Sequence, residues 1–204
     1  IMAPADENEC RQMLYTALVC GQPAAVRYPR GAGPGVTVQS QMASLPIGKA
    51  GLKRVGQGVA ILAFGSMVSA CQALAEAHDM TLVNMRFIKP LDERTVLDMA
   101  RQHDALVTVE ENVVAGGAGS AINELLAAAD VHMPVLNIGI PDRFIEHGSR
   151  EDCLVSAGLD RASLEQRILQ WWQAHAPSGA ARVRAGGRLG AFAALRARRA
   201  RLSQ

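Results

Sequence analysis

The stretch Val59-Ala60-Ile61-Leu62-Ala63-Phe64, followed after Gly65 by a helical pattern and then by Thr81-Leu82-Val83-Asn84-Met85, decides the fold class. The two apolar runs read as strands. Between them Val68, Cys71 and Leu74 fall on one helical face, with Ser66 or Ser69 as its cap. The alternation continues downstream. Asp92 opens a helix bearing Val96, Leu97 and Ala100, and Ala105 to Glu110 reads as a strand. The helix after Gly116-Gly117-Ala118-Gly119-Ser120 is expected to bury Ile122, Leu125, Leu126 and Ala129. Pro134 to Ile138 reads as the last strand, and Asp160 caps a final helix with Leu164, Ile168, Trp171 and Trp172 facing inward. Upstream, Gly48 to Val55 reads as a strand joined to the first run around Gly56-Gln57-Gly58. Strands alternating with helices predict an α/β domain with a mostly parallel sheet and helices on both faces. The right-handed crossover rule leaves few topologies, and the tight connection places the first strand as an antiparallel edge. This domain spans residues 47–175.

Outside it the pattern changes. Ile1 to Pro4 is a short apolar stub, and a helix follows from about Asp6 with Cys10, Met13, Leu14, Ala17 and Leu18 on one face. Gly21-Gln22-Pro23 stops that helix, and Ala24 to Tyr28 reads as a short buried strand. Residues 1–31 therefore read as the closing unit of another α/β domain whose earlier strands lie upstream of Ile1. The first residue is not Met, which gives the same expectation of a piece of a longer protein. Residues 32–46 read as a linker rich in Gly, Ser and Gln, and residues 176–204, rich in Ala, Gly and Arg, as a disordered tail.

Composition narrows the function classes. Hydrophobic residues make up 49% and charged residues 20% of the 204, near the globular average. No apolar run is long enough to span a membrane, and no signal peptide is visible. The net charge of +2 hides an asymmetry: seven Arg and no acidic residue lie between Arg182 and Gln204. The first 181 residues hold 14 basic and 19 acidic side chains, a net of −5. Binding to nucleic acid would rest on the tail alone. Cys10, Cys20, Cys71 and Cys153 are scattered without metal or redox spacing, so reduced, partly buried thiols and a cytoplasmic setting are expected.

Among the motifs, Gly117-Ala118-Gly119 before a helix resembles a phosphate cradle, but Ile122 stands where a dinucleotide fingerprint needs its third Gly. These glycines are read instead as permitting a tight turn and close helix packing. Gly48-Lys49 lacks the rest of a P-loop. Glu110 and Glu111 are adjacent on a strand and so point to opposite faces, which makes them a poor acid–base pair. His147 has no nucleophile tied to it by a motif. Arg27 and Arg30 flank Tyr28-Pro29 just before Gly31, a setting equally suited to an anion ligand and to a surface ion pair. Arg86 ends a predicted strand on the sheet edge where α/β sites gather, with the same two readings.

Taken together, V-R-Y-P-R-G (Val26 to Gly31), M-R-F-I-K-P-L-D (Met85 to Asp92), V-T-V-E-E-N-V-V-A-G-G-A-G-S (Val107 to Ser120) and N-I-G-I-P-D-R-F-I-E-H-G (Asn137 to Gly148) resemble the C-terminal third of the 1-deoxy-D-xylulose-5-phosphate synthase family. P-A-D-E-N-E-C-R-Q-M-L-Y-T (Pro4 to Thr16) extends the resemblance to the start. It implies a transketolase-type C-terminal domain, preceded by the end of a pyrimidine-binding domain. It implies a homodimeric transferase using thiamine diphosphate and Mg²⁺ to join pyruvate, with loss of CO2, to glyceraldehyde 3-phosphate for isoprenoid, thiamine and pyridoxal synthesis. Arg30 and Arg86 match the family's ligands of the substrate phosphate. No G-D-G with a distant Asn is present, so the cofactor and metal ligands and the catalytic residues are expected upstream of Ile1. The fragment alone is then inactive and binds no cofactor. Residues 177–204 have no counterpart in the resemblance. The rival readings are a 2-oxo acid dehydrogenase β-subunit or transketolase fragment, and a non-catalytic binding module with a basic tail.

Overall fold

The computed structural model describes residues 1–176, so the expectation of a disordered tail lies outside the described residues. Helix α1 (Glu7–Val19) comes first. A sheet-and-helix succession follows: β1 (Gly51–Arg54), β2 (Val59–Ala63), α2 (Met67–Ala77), β3 (Thr81–Asn84), α3 (Glu93–Gln102), β4 (Ala105–Val113), α4 (Ala118–Ala128), β5 (Val135–Ile140), α5 (Arg150–Ala157) and α6 (Arg161–His175). The sheet order is β1-β3-β2-β4-β5, with β1 antiparallel to β3 and every other pair parallel. The predicted architecture and its antiparallel edge strand are those of the structure.

Alternation along β2 sorts the core into two layers. Val59, Ile61 and Ala63 pack with Cys71 and Leu74 of α2 and with Leu164 and Ile168 of α6. Ala60 and Leu62 point the other way, against Val96 and Met99 of α3 and Ile122 and Leu126 of α4. Period-two side chains on a strand covered on both faces give this division directly. Within the first layer Cys71 is fully buried, and burial pushes its thiol up to about 12. The other three cysteines are partly exposed and unpaired. Among the described residues no helix is long and apolar enough to cross a membrane.

Caps follow the sequence in most places. Asp92 accepts from Thr95 N–H at 3.2 Å and from Ala50 N–H at 2.9 Å, which ties β1's approach to α3. Burial pushes its carboxyl up, but these bonds and Lys49 outweigh that and hold it below its ordinary value. Asp160 accepts from Ala162 and Ser163 N–H at 3.1 Å each. The expected cap on α2 is different: Ser66 occupies the cap position, but its hydroxyl donates to Glu111 rather than closing the helix. Of the face expected on α4, Leu125 is only partly buried and Ala129 is exposed, because the helix ends at Ala128. Helix α5 has no counterpart in the sequence reading. Only Ala157 on it is buried, so it lacks an apolar face, and its signals are the Ser149 cap and the left-handed Gly158.

The N-terminal unit departs most. The buried residues of α1 are Glu9, Gln12, Met13 and Thr16, whereas Leu14 and Leu18, expected inside, are 49% and 80% exposed. The polar face is buried because it is satisfied. Gln12 Oε1 accepts from Ala43 N–H at 2.6 Å, and the Thr16 hydroxyl accepts from Leu45 N–H at 2.8 Å. Residues 32–46, which contain no helix or strand, are thereby laid along α1. The segment Ala24 to Tyr28 is not a buried strand. It forms one bridge, Val26 to Met2, and is otherwise largely exposed. Met2 also bridges Phe87, so the stub is fastened to the chain just beyond β3.

Candidate functional site

The carboxyl ends of β3 and β4 meet the N-terminal unit, on the sheet edge where α/β proteins place their ligands. Beyond β3, Arg86 has φ of 58°, a left-handed conformation that a long side chain adopts at a cost. The surroundings hold it there: its N–H donates to Asn84 Oδ1 at 3.1 Å and its carbonyl accepts from Ala3 N–H at 2.8 Å. Its Nε donates to Glu9 Oε1 at 2.7 Å. Glu9 is 6% exposed, and its other bonds come from Asn84 Nδ2, at 3.0 and 2.8 Å, and from Ala5 N–H at 2.8 Å. A buried carboxylate is tolerated when it is paired and hydrogen-bonded in this way.

At the end of β4 the two glutamates do point apart. Glu110, 3% exposed, accepts from Ala118 N–H at 2.8 Å and Gly119 N–H at 2.9 Å, at the start of α4. The helix N-terminus that looks like an anion cradle in the sequence is thus filled by the protein's own carboxylate. Close approach explains the glycines: a Cβ on Gly117 would stand 2.5 Å from Glu110 Oε1, and one on Gly119 would stand 2.7 Å from Thr108 Oγ1. Glu111, on the other side, accepts from Ser66 Oγ at 2.5 Å and from Arg150 Nη2 at 2.6 Å and Nε at 3.3 Å. Its carbonyl accepts from the Arg27 guanidinium.

Arg27 is therefore a structural contact, whereas Arg30 is exposed and has no partner among the described residues. Arg86 has an ion pair, as one of its two readings required, yet only Nε donates, and its terminal amino groups have no hydrogen-bond partner among the described residues. No contact joins Arg30 to Arg86. His147 lies exposed in the loop before α5 and makes no hydrogen bond to these groups. Sequence reading missed Glu9, Asn84, Ser66 and Arg150. For Glu9 the signal was available: Glu9, Gln12, Met13 and Thr16 share one helical face, a polar stripe of the kind that is buried only when it has partners. Beside the site, Leu14, Leu18, Tyr28, Met67 and Leu154 line an open groove of about 950 Å³.

The described residues do not fit a metal–diphosphate group. The α4 N-terminus is taken by Glu110, and among the described residues no three His, Cys, Asp or Glu side chains gather as a metal site. Arg30 and Arg86 each carry guanidinium N–H groups with no protein partner among the described residues, the kind of donor an anion takes.

Comparison with known proteins agrees with the architecture. Residues 48–164 match the family described as transketolase, C-terminal domain. The chain is 57% identical over 183 residues to a protein of Nitrosococcus oceani named 1-deoxy-D-xylulose-5-phosphate synthase, covering 90% of this chain and 28% of that protein. It is 54% identical over 174 residues to the Aeromonas hydrophila protein of the same name, covering 85% of this chain and again 28% of the relative. The chain thus spans just over a quarter of the length of these curated relatives. Among solved structures, a split-gene transketolase described as an inactive β4 tetramer superposes with a TM-score of 0.74 at 27% identity, over 83% of this chain and 56% of that one. With more than half of its length matched, the chain belongs to the transketolase family through its C-terminal domain, alongside relatives named 1-deoxy-D-xylulose-5-phosphate synthase.

Proposed function

We propose that this chain is the C-terminal part of a 1-deoxy-D-xylulose-5-phosphate synthase. In this reading residues 1–31 close the pyrimidine-binding domain, residues 32–46 connect it, and residues 47–175 form the transketolase-type C-terminal domain. The complete enzyme, a cytoplasmic homodimer, joins pyruvate to glyceraldehyde 3-phosphate with loss of CO2, and its product serves isoprenoid, thiamine and pyridoxal synthesis. Thiamine diphosphate and Mg²⁺ would be held by residues outside this chain. The contribution of this chain is recognition of the aldehyde's phosphate by Arg30 and Arg86, and alone it is inactive. The relative names support the reaction, and the description of the split-gene transketolase as inactive supports the separate chain's inactivity.

The observation that carries the reading is Arg86: a non-glycine residue held at positive φ, with one guanidinium nitrogen fixed by Glu9 and the others open at the carboxyl end of a parallel strand. A phosphate needs donors that stay charged and present several N–H groups, which Arg supplies better than Lys. The test is Arg30→Ala in the complete polypeptide, with kinetics measured for each substrate. Charge-assisted bonds contribute about 1.5–3 kcal/mol, so kcat/KM for glyceraldehyde 3-phosphate should fall roughly 10- to 100-fold. Pyruvate carries no phosphate and should be affected far less. An equal loss for both substrates would make Arg30 structural, and no loss would remove it from the site.

A further inference from the structure

The two arginines sit on different parts of the chain, and Arg86 is held from the part that carries Arg30. Arg86 follows β3 in the sheet domain, but the carboxylate gripping its Nε at 2.7 Å is Glu9, on α1 of the N-terminal unit. A second surface backs the guanidinium: a Cβ on Gly51 would lie 3.2 Å from Cζ and 3.3 Å from Nη2, so the group lies close against β1 with no side chain between. Arg30 belongs to the N-terminal unit and has no partner of its own among the described residues; only its neighbours approach β4 and α5. Three residues before it, Arg27 donates to the Glu111 carbonyl. One residue after it, the position of a Cβ on Gly31 lies 4.0 Å from Cδ of Arg150, whose guanidinium is fixed by the Glu111 carboxylate at 2.6 Å. The Ser66 hydroxyl, at 2.5 Å, holds the remaining side of that carboxylate.

Placing two carboxylates beside a site for a phosphate is electrostatically unfavourable unless they serve geometry. Here each is spent on an arginine within this chain. An arginine fixed in advance loses less freedom when it binds, and a misplacement of about 1 Å costs up to about 100-fold in rate. We propose that Glu9 is a positioning residue of the phosphate subsite, fixing the Arg86 guanidinium across the junction, so that Arg86 takes its place only when the two parts are docked. This rests on the reading that these arginines bind the substrate phosphate.

The experiment compares Glu9→Gln with Arg30→Ala and Arg86→Ala in the complete polypeptide, using glyceraldehyde 3-phosphate and unphosphorylated glyceraldehyde as alternative acceptors. The readout is the ratio of their kcat/KM values, which general loss of structure leaves unchanged because both substrates suffer alike. Glu9→Gln should lower the ratio about 10-fold, by loosening rather than deleting a phosphate ligand. If the arginine variants lower the ratio and Glu9→Gln does not, the positioning role falls while the phosphate site stands. If the arginine variants leave it unchanged, the site reading falls and the positioning role with it. Should Glu9→Gln fail to fold, Gly51→Ala pushes the same guanidinium from its other side without altering any charge, and it should lower the ratio in the same way. An unchanged ratio in a folded Gly51→Ala protein would overturn the proposal.

Discussion

Helices α1 and α2 bury opposite kinds of residue. On α2 the inward face is Met67, Val68, Cys71, Leu74 and Ala75, packed on β2 and β4 in an apolar layer. On α1 the inward face is Glu9, Gln12, Met13 and Thr16, three of four polar, while Leu14 and Leu18 line a groove. The first face stabilises by removing hydrocarbon from water; the second gains little by that route, since each polar group exchanges water for a protein partner. What the polar face supplies is direction. Its bonds end on named atoms, Asn84 Nδ2, Arg86 Nε and the backbone of residues 43 and 45, so α1 has one seating on the sheet domain. An apolar face tolerates sliding more readily than a hydrogen-bonded one.

Substitutions can break or sharpen this contrast. The largest effect belongs to the apolar layer. Ile61 is fully buried at the centre of the sheet, and Ile61→Ala should cost about 2–5 kcal/mol in urea unfolding of the chain. A loss below about 1 kcal/mol would mean that the layer is not the main source of stability. Next is Glu110, a polar group buried within the sheet domain. Glu110→Ala strands two amides at the start of α4 and should cost about 1.5–3 kcal/mol, with hydrogen exchange rising first at Ala118 and Gly119. If those amides stay protected, the carboxylate is not what closes that helix end.

Acid provides a milder probe of buried polarity. His103 is 6% exposed, with Nδ1 donating to the Met99 carbonyl at 3.0 Å and Nε2 accepting from Thr81 Oγ1 at 2.7 Å, an arrangement for the neutral ring. Burial holds it below its ordinary value of 6.5 against the pull of its hydrogen bonds and Asp104. The unfolded chain therefore takes up this proton first as pH falls. The stabilising contribution is complete above 6.5 and is lost as pH drops from there through the lowered folded value. The urea midpoint should fall between about pH 7.5 and about pH 5.5, and the fall should be smaller in His103→Gln. An equal fall in that variant would assign the acid sensitivity elsewhere. The smallest effect is expected on α1's outer stripe: Leu18, 80% exposed, should change stability by less than about 0.5 kcal/mol on replacement by Ser. A larger loss would show that the groove is closed in solution and would erase the contrast between the two helices.

The legibility of the molecule follows the same division. In the sheet domain, Val68, Cys71 and Leu74 on α2 and Leu164 and Ile168 on α6 are buried as their spacing predicts, because an apolar side chain gains from any apolar neighbour and periodicity alone selects the face. On α1 the same rule chose Leu14 and Leu18 and failed, because hydrophobicity cannot register that Glu9, Gln12 and Thr16 have partners 29 or more residues away. Helix α5 was missed for a related reason: with only Ala157 buried, it offers no face to detect. Arg86 was legible as a candidate from its place beyond β3, and Arg30 from a strand that the structure does not form; the group that holds Arg86 was not legible.

The sequence by itself determined the strand–helix alternation, the antiparallel edge, the caps at Asp92 and Asp160, and the opposed directions of Glu110 and Glu111. These are consequences of local periodicity and backbone geometry, acting within a few residues. Only the tertiary structure decided that Glu110 closes its own helix, that Glu9 grips Arg86 across the junction and that Glu111 grips Arg150 within the sheet domain. A carboxylate's role depends on which donor lies within about 3 Å, and that is settled by chain segments far apart in sequence.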